Sequence, residues 1–232
     1  MPHILITGSN RGIGLELATQ YARDNWRVYA TCRHPAEAEA LQALASSHEN
    51  VSVHRLDVTL IEDIRAVQRK LEGVSLDLLF NNAGVYLEDS YSSPEPGNIE
   101  YSVWLRTLDI NSLGPVRVSE AFIDQLSRSE KPLIAVMTSH MGSIADIDTG
   151  GSYYYRSSKA TLNAAMKGLA NALRPEGIGV LLLHPGGVAT RMGPSNGIST
   201  SQSVEGLRNQ IDDFSMDKSG TFISYDGTPM PW

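Results

Sequence analysis

The chain has 232 residues, 41% of them hydrophobic and 19% charged, with a formal net charge of −7. That length carries one substantial core and is short for two, and the negative charge argues against nucleic acid or anionic membrane as a main partner, because both would repel it. Cys32 is the only cysteine, which excludes an internal disulfide and suits a reducing compartment. No run reaches the roughly 20 apolar residues that span a bilayer, and Pro2 and His3 leading into a strand are unlike a signal peptide, so a cytoplasmic location without membrane insertion is expected.

The first fourteen residues organise the rest. The apolar run Ile4, Leu5, Ile6 reads as a buried parallel strand that stops at Thr7 and Gly8, and helical periodicity follows at once in Ile13, Leu17, Ala18 and Tyr21. Between them lies Gly8-Ser9-Asn10-Arg11-Gly12-Ile13-Gly14. Gly8 permits a sharp turn, Gly12 leaves bare backbone for a diphosphate, and Gly14 lets the helix pack close to the strand, while unpaired amides at the helix start face the phosphates. The glycine spacing makes the turn one residue longer than in the commonest dinucleotide fold. A tight strand-to-helix turn without a ligand is the alternative.

Strand and helix then alternate. Strands are predicted at 27–32, 51–56, 76–80, 133–137, 180–183 and 221–224, and helices at 35–47, about 60–71, about 99–126, 153–173 and near 204–211. This pattern predicts one domain over 1–232 with a parallel sheet covered on both faces and right-handed crossovers. Residues 88–98 and 191–203 read as linker-like. In such sheets ligands bind beyond the carboxyl ends of the strands.

After the second strand, an acid would hold the ribose 2′-hydroxyl of NAD, but this chain has Cys32 and Arg33 there, with Arg11 as a second cation. Two guanidinium groups suit a 2′-phosphate, so NADP(H) is the expected cofactor. Asp57, followed by Val58, has a side chain able to accept a bond from the adenine amino group, or to cap a helix. Asn81, Asn82, Ala83 and Gly84 combine a turn with small residues, as a backbone passing close to a ribose requires, or as plain turn chemistry does. Within the helix predicted at 99–126, Pro115 frees the carbonyl of Asn111, which makes Asn111 a candidate anchor for an ordered water or simply the site of a kink.

The strand at 133–137 runs into Ser139, and sixteen residues later come Tyr155 and Lys159, at i and i+4 on one helix face. Lowering a tyrosine pKa from near 10 by about three units takes roughly 4 kcal/mol. A unit charge about 4 Å away supplies that much at an effective dielectric of about 20. Tyr155 is therefore expected to be an acid/base activated by Lys159; Tyr153 and Tyr154 have Ser157 and Ser158 at that spacing instead. The strand at 180–183 ends in His184, Pro185 and Gly186, exposing the backbone of Val188 and the hydroxyl of Thr190 for a nicotinamide carboxamide, or forming a simple turn. His140 and His184 have no second ligand at metal-binding spacing, and no metal is expected.

Taken together, these segments resemble the short-chain dehydrogenase/reductase family, in order and across nearly the whole chain. The resemblance implies a Rossmann sheet of about seven strands in the order 3-2-1-4-5-6-7 and a nicotinamide cofactor. It implies four catalytic groups: Tyr155 transfers a proton, Lys159 lowers its pKa and holds the ribose, Ser139 orients the carbonyl, and Asn111 fixes a water linked to Lys159. The ending from Ser219 to Trp232 looks like that of the C-factor group and the sniffer-type carbonyl reductases, and the segment that normally forms the substrate lid is short. The implied activity is reduction of an aldehyde, ketone or quinone. Two rival expectations are a C-factor-like signalling protein with incidental turnover and an NAD-linked alcohol dehydrogenase. The helices at 99–126 and 153–173 resemble the family's dimer surface, so a homodimer is also an expectation.

Overall fold

The computed structural model describes residues 1–88 and 96–232. All seven strands lie parallel in one sheet ordered β3-β2-β1-β4-β5-β6-β7, with β1 His3–Ile6, β2 Arg27–Cys32, β3 Val51–Arg55, β4 Leu78–Asn81, β5 Leu133–Met137, β6 Gly179–His184 and β7 Thr221–Ser224. This is the predicted Rossmann-like order, which reverses between β1 and β4.

The central strands are apolar on both faces because helices cover both. On one side Ile4, Ile6 and Phe80 pack with Leu17 and Tyr21 of α1 (Gly12–Arg23), Leu41 of α2 (Glu39–Ser47) and Leu207 of α8 (Thr200–Asp212). On the other, Leu5, Leu79 and Ile134 pack with Ile64 of α3 (Ile61–Lys70), Val118 of α5 (Gly114–Ala121) and Met166 of α7 (Tyr153–Leu173). Period-two alternation along each strand divides the core between the two faces.

Three predicted boundaries move. The helix expected at 35–47 begins at Glu39, after a single 3-10 turn at Pro35–Glu37. The helix near 204–211 starts earlier, at Thr200, where the Ser199 hydroxyl accepts from the Gln202 amide. The long helix at 99–126 is broken into α4 (Tyr101–Leu108), a wide π turn at Asp109–Leu113, α5 and α6 (Ile123–Leu126). Pro115 has no amide to continue the i to i−4 ladder, and the Gly114 amide reaches back to Asp109 instead. Of the stretch read as a linker at 88–98, residues 89–95 lie outside the described residues.

Gly14 is where α1 meets the sheet most tightly: a side chain there would collide with the Gly8 carbonyl oxygen and the Asn82 side-chain amide. Gly14→Ala is expected to cost about 1–3 kcal/mol, read as a lower urea midpoint at unchanged m-value.

Candidate active site

Three loops converge at the carboxyl ends of the central strands. The glycine loop after β1 is held by the segment after β4: the Thr7 hydroxyl accepts from the amides of Asn82 and Ala83 at 3.0 Å each, and the Asn82 side chain donates to the Thr7 and Gly8 carbonyls at 3.0 Å. Gly12 has φ +54, a region that disfavours a side chain, and Thr190 of the third loop lies next to it. Arg11, at the cap position of α1, makes no side-chain cap, and no acid stands in the first turn. The helix therefore presents positive amide ends to solvent, as an anion site requires. Ser9 is turned inward, its hydroxyl donating to the Ile6 carbonyl at 3.0 Å, so the loop exposes Asn10, Arg11 and the backbone around Ile13 rather than that hydroxyl.

Arg11 and Arg33 are exposed, and neither forms an ion pair among the described residues. Arg33 lies close enough to Asp57 to act on its carboxyl electrostatically. Burial would raise the pKa of that group, but the bonds from the Thr59 amide (2.9 Å) and hydroxyl (2.7 Å), aided by Arg33 and Arg55, hold it below the usual value. Asp57 thus does serve a turn, and it does so beside Arg33. Val58 is buried against Gly114, so only its backbone faces the groove. A bare glycine backbone, an uncapped helix start and two unpaired arginines fit a phosphate-bearing dinucleotide.

The four residues expected to act together are brought together. Asn111 is buried, with Oδ1 accepting from the Val85 amide at 2.8 Å and Nδ2 donating to the Val85 carbonyl at 2.8 Å and to the Ser158 hydroxyl at 3.0 Å. The π turn sets this side chain against α7. Lys159 is 4% exposed, and its Nζ donates to the Met137 carbonyl at 2.8 Å and lies 5.7 Å from the centre of the Tyr155 ring. Gly84 leaves room beside both, since a side chain there would stand 3.3 Å from Asn111 Oδ1 and 3.8 Å from Lys159 Nζ. Tyr155 is half-buried, and Ser139 hydrogen-bonds its phenol.

The expectation that Lys159 draws the Tyr155 pKa down is corrected. Burial pushes the phenol up to about 12, Ser139 offsets part of this, and Tyr86 and Glu88 add to the rise. Burial also lowers Lys159 to about 8. A dry environment opposes both charges, and the ammonium points to the Met137 carbonyl. At neutral pH the phenol is therefore in its acid form.

The third loop holds Pro185, Gly186, Val188 and Thr190. Val188 pairs with Ile198 in a short bridge, and the Thr190 hydroxyl accepts from Met192 (3.3 Å) and Gly193 (3.2 Å), which closes the loop on itself. His140 and His184 rings lie 5.0 Å apart, edge to face. Burial, with His140 nearby, lowers His184 to about 4.

Sequence reasoning missed the segment after Gly84. Tyr86 meets the Tyr155 ring edge-on at 4.9 Å and hydrogen-bonds the Ser152 hydroxyl at 2.9 Å, and Glu88 accepts from the Tyr155 amide at 2.8 Å. The available signal was an aromatic and an acid following the turn at the carboxyl end of β4. A cavity of about 440 Å³ lined by Trp104, Met141, Ile144, Tyr153 and Arg156 opens beside this site, on the next face of α7 from the one carrying Tyr155 and Lys159.

Sheet order, glycine turn and clustered polar groups define a dinucleotide-binding α/β fold of the oxidoreductase kind. The short chain dehydrogenase family model matches residues 2–199, and the chain belongs to that family. It is 42% identical over 158 residues to C-signal of Myxococcus xanthus, covering 68% of this chain and 93% of that one. The structure of the carbonyl reductase Sniffer of D. melanogaster superposes with a TM-score of 0.93 at 32% identity, covering all of both chains. An NADPH-bound carbonyl reductase from chicken fatty liver does so at 0.92 and 32%, covering 100% of this chain and 99% of that one.

The buried lysine has a thermodynamic signature. Its folded pKa of about 8 lies below the ordinary 10.5, so between these values the unfolded chain binds more protons and stability rises with pH from this group. At pH 7 the desolvated cation is a cost of up to about 3 kcal/mol. Lys159→Met is expected to raise stability at pH 7 and to lose most of that gain by pH 10.5, measured by urea denaturation across the range.

Proposed function

We propose that the chain is an NADPH-dependent carbonyl reductase acting on an aldehyde, ketone or quinone. The observation that carries the proposal is the phenol of Tyr155 set beside Ser139 and the buried Lys159, with Asn111 bonded to the same helix, in the groove above the sheet. A nicotinamide dinucleotide held there would supply the hydride that the carbonyl carbon receives. Tyr155 gives its proton to the carbonyl oxygen, which Ser139 orients, and Lys159 steadies the phenolate left behind. Asn111 fixes the segment at Val85 and braces Ser158 one residue before Lys159.

For the cofactor, the backbone from Gly8 to Gly14 would hold the diphosphate, Arg11 and Arg33 the 2′-phosphate, and Asp57 and Val58 the adenine. Asn82, Ala83, Gly84, Tyr155 and Lys159 would line the ribose, and Pro185, Gly186, Val188 and Thr190 the carboxamide. This assignment also places the chain in a reducing, cytoplasmic compartment, which the buried free Cys32 suits. A homodimer is part of it: Tyr101 and Leu105, one turn apart on α4, are 69% and 67% exposed beside the apolar cavity.

Likeness to C-signal supports one rival, a signalling role with incidental turnover. Tyr155→Phe is expected to lower kcat/KM for NADPH-dependent reduction about 10²–10⁴-fold, measured on a panel of aldehydes, ketones and quinones. Equal rates in both proteins, or none in either, favour the rival. Arg33→Ala is expected to weaken NADPH about tenfold, by fluorescence titration, and to leave NADH unchanged; in an NAD-linked alcohol dehydrogenase the substitution leaves cofactor affinity unchanged. Leu105→Glu is expected to convert a dimer to a monomer by light scattering.

A further inference from the structure

Glu88 is the least expected group beside the site. It is 2% exposed. One carboxylate oxygen accepts from the Tyr155 amide at 2.8 Å, and no described residue bonds to the other. α7 needs an acceptor at this point, because Ser152 at its cap position has φ +49 and makes no side-chain cap. The Ser152 hydroxyl is paired with Tyr86 instead. A carboxylate from a different loop therefore caps the helix that carries Tyr155, at the third helical residue, where the helix dipole favours a negative charge.

A cap alone does not need a charge, since a serine or asparagine serves. A sealed carboxylate with an oxygen that no described residue bonds is an expensive way to meet one amide. Its position gives the charge a second effect: it is bonded to the backbone of the residue whose phenol must change charge during the proposed reaction, and it is buried, where little water screens it. We infer that Glu88 is a positioning residue that caps the catalytic helix and, through its negative charge, opposes ionisation of the Tyr155 phenol, so that the site keeps the proton it donates over a wider range of pH. The inference rests on the reductase reading given above.

Among the other groups around the phenol, Tyr86, from the same loop, acts in the same direction as Glu88, and Lys159, from the same helix, carries the opposite sign. His140, after β5, couples to Arg156 and Asp146, and His184, after β6, to His140 and Asp226. The rise in the Tyr155 pKa includes a contribution from Glu88, behind burial and alongside Tyr86.

Glu88→Gln keeps a carbonyl for the Tyr155 amide and removes the charge; Glu88→Ala removes both. The phenol is titrated in the full chain by NMR of carbon-labelled tyrosine, with Tyr155→Phe assigning the resonance. In Glu88→Gln the midpoint is expected to fall by about one pH unit or more, with little change in Tm. The high-pH limb of the reduction rate should move down by the same amount. Glu88→Ala should add a loss of Tm. Superimposable titrations of wild type and Glu88→Gln overturn the inference, as does a change in Tm with no change in either titration or pH profile. A shifted titration in a chain that reduces no carbonyl sinks the reductase reading and leaves the electrostatic role of Glu88 standing.

Discussion

The site depends on one side-chain amide. Asn111 pairs with both the amide and the carbonyl of Val85, as a neighbouring strand would, and spends its remaining hydrogen on Ser158. Three elements are joined at that point: the irregular end of α4, the segment after β4, and α7. Because Asn111 and Ser158 are sealed from water, their bond cannot be released without leaving a buried orphan, at about 1–3 kcal/mol. The segment from Asn82 to Glu88 therefore works as a strap, tied at one end to the glycine loop through Thr7 and at the other to the start of α7 through Tyr86 and Glu88. The register between cofactor loop and reactive phenol passes through it.

Burial gives the strap its chemical importance. In water a lysine one turn from a tyrosine perturbs it weakly. Here the surrounding protein raises one pKa and lowers the other, so two groups whose ordinary values nearly coincide move apart, to about 12 and about 8. Each group resists its own charge, yet a phenolate and an ammonium formed together would relieve much of that cost through mutual attraction. In the proposed reaction, losing the phenolic proton is thus costly until a developing alkoxide draws it away.

The fold was legible because its signal is long-range and repetitive. Apolar runs such as Ile4 to Ile6 and Leu133 to Met137 can only be strands buried on both faces, and alternation with helices leaves few topologies open. The glycine loop and the i, i+4 pair Tyr155 and Lys159 were equally legible, since a turn or a helix dictates their spacing. What escaped was set by burial and tertiary contact. Nothing in the order of residues says that Lys159 would be dry, or that its ammonium would turn to the Met137 carbonyl, and these decide the direction in which the Tyr155 pKa moves. Pro115 announced a break, but whether the chain kinks, frays or widens into a π turn depends on what Asn111 finds to bond. Glu88 sits in a stretch that composition marks as linker, and only the third dimension sets it under α7.

The same contacts bear on how substrate is chosen. The loop after β6 is short and closed on itself, with the Ala189 amide bonded to the Ile198 carbonyl and the Ile198 amide to the Gly187 carbonyl, each at 2.9 Å. A loop that spends its backbone bonds internally has little reach as a lid. The walls left to meet a substrate are Tyr86 on the strap and the turn after β5, whose far side is held by the Trp232 carbonyl accepting from the Ala145 amide at 2.9 Å and the Ser143 hydroxyl at 3.3 Å. Both walls are fixed to the same helix or sheet that fixes the phenol. Selectivity in such a site comes from the shape of rigid aromatic and apolar walls more than from closure, so substituents on Tyr86 and Met141 should alter which carbonyl compounds fit while leaving the proton-donating machinery in place.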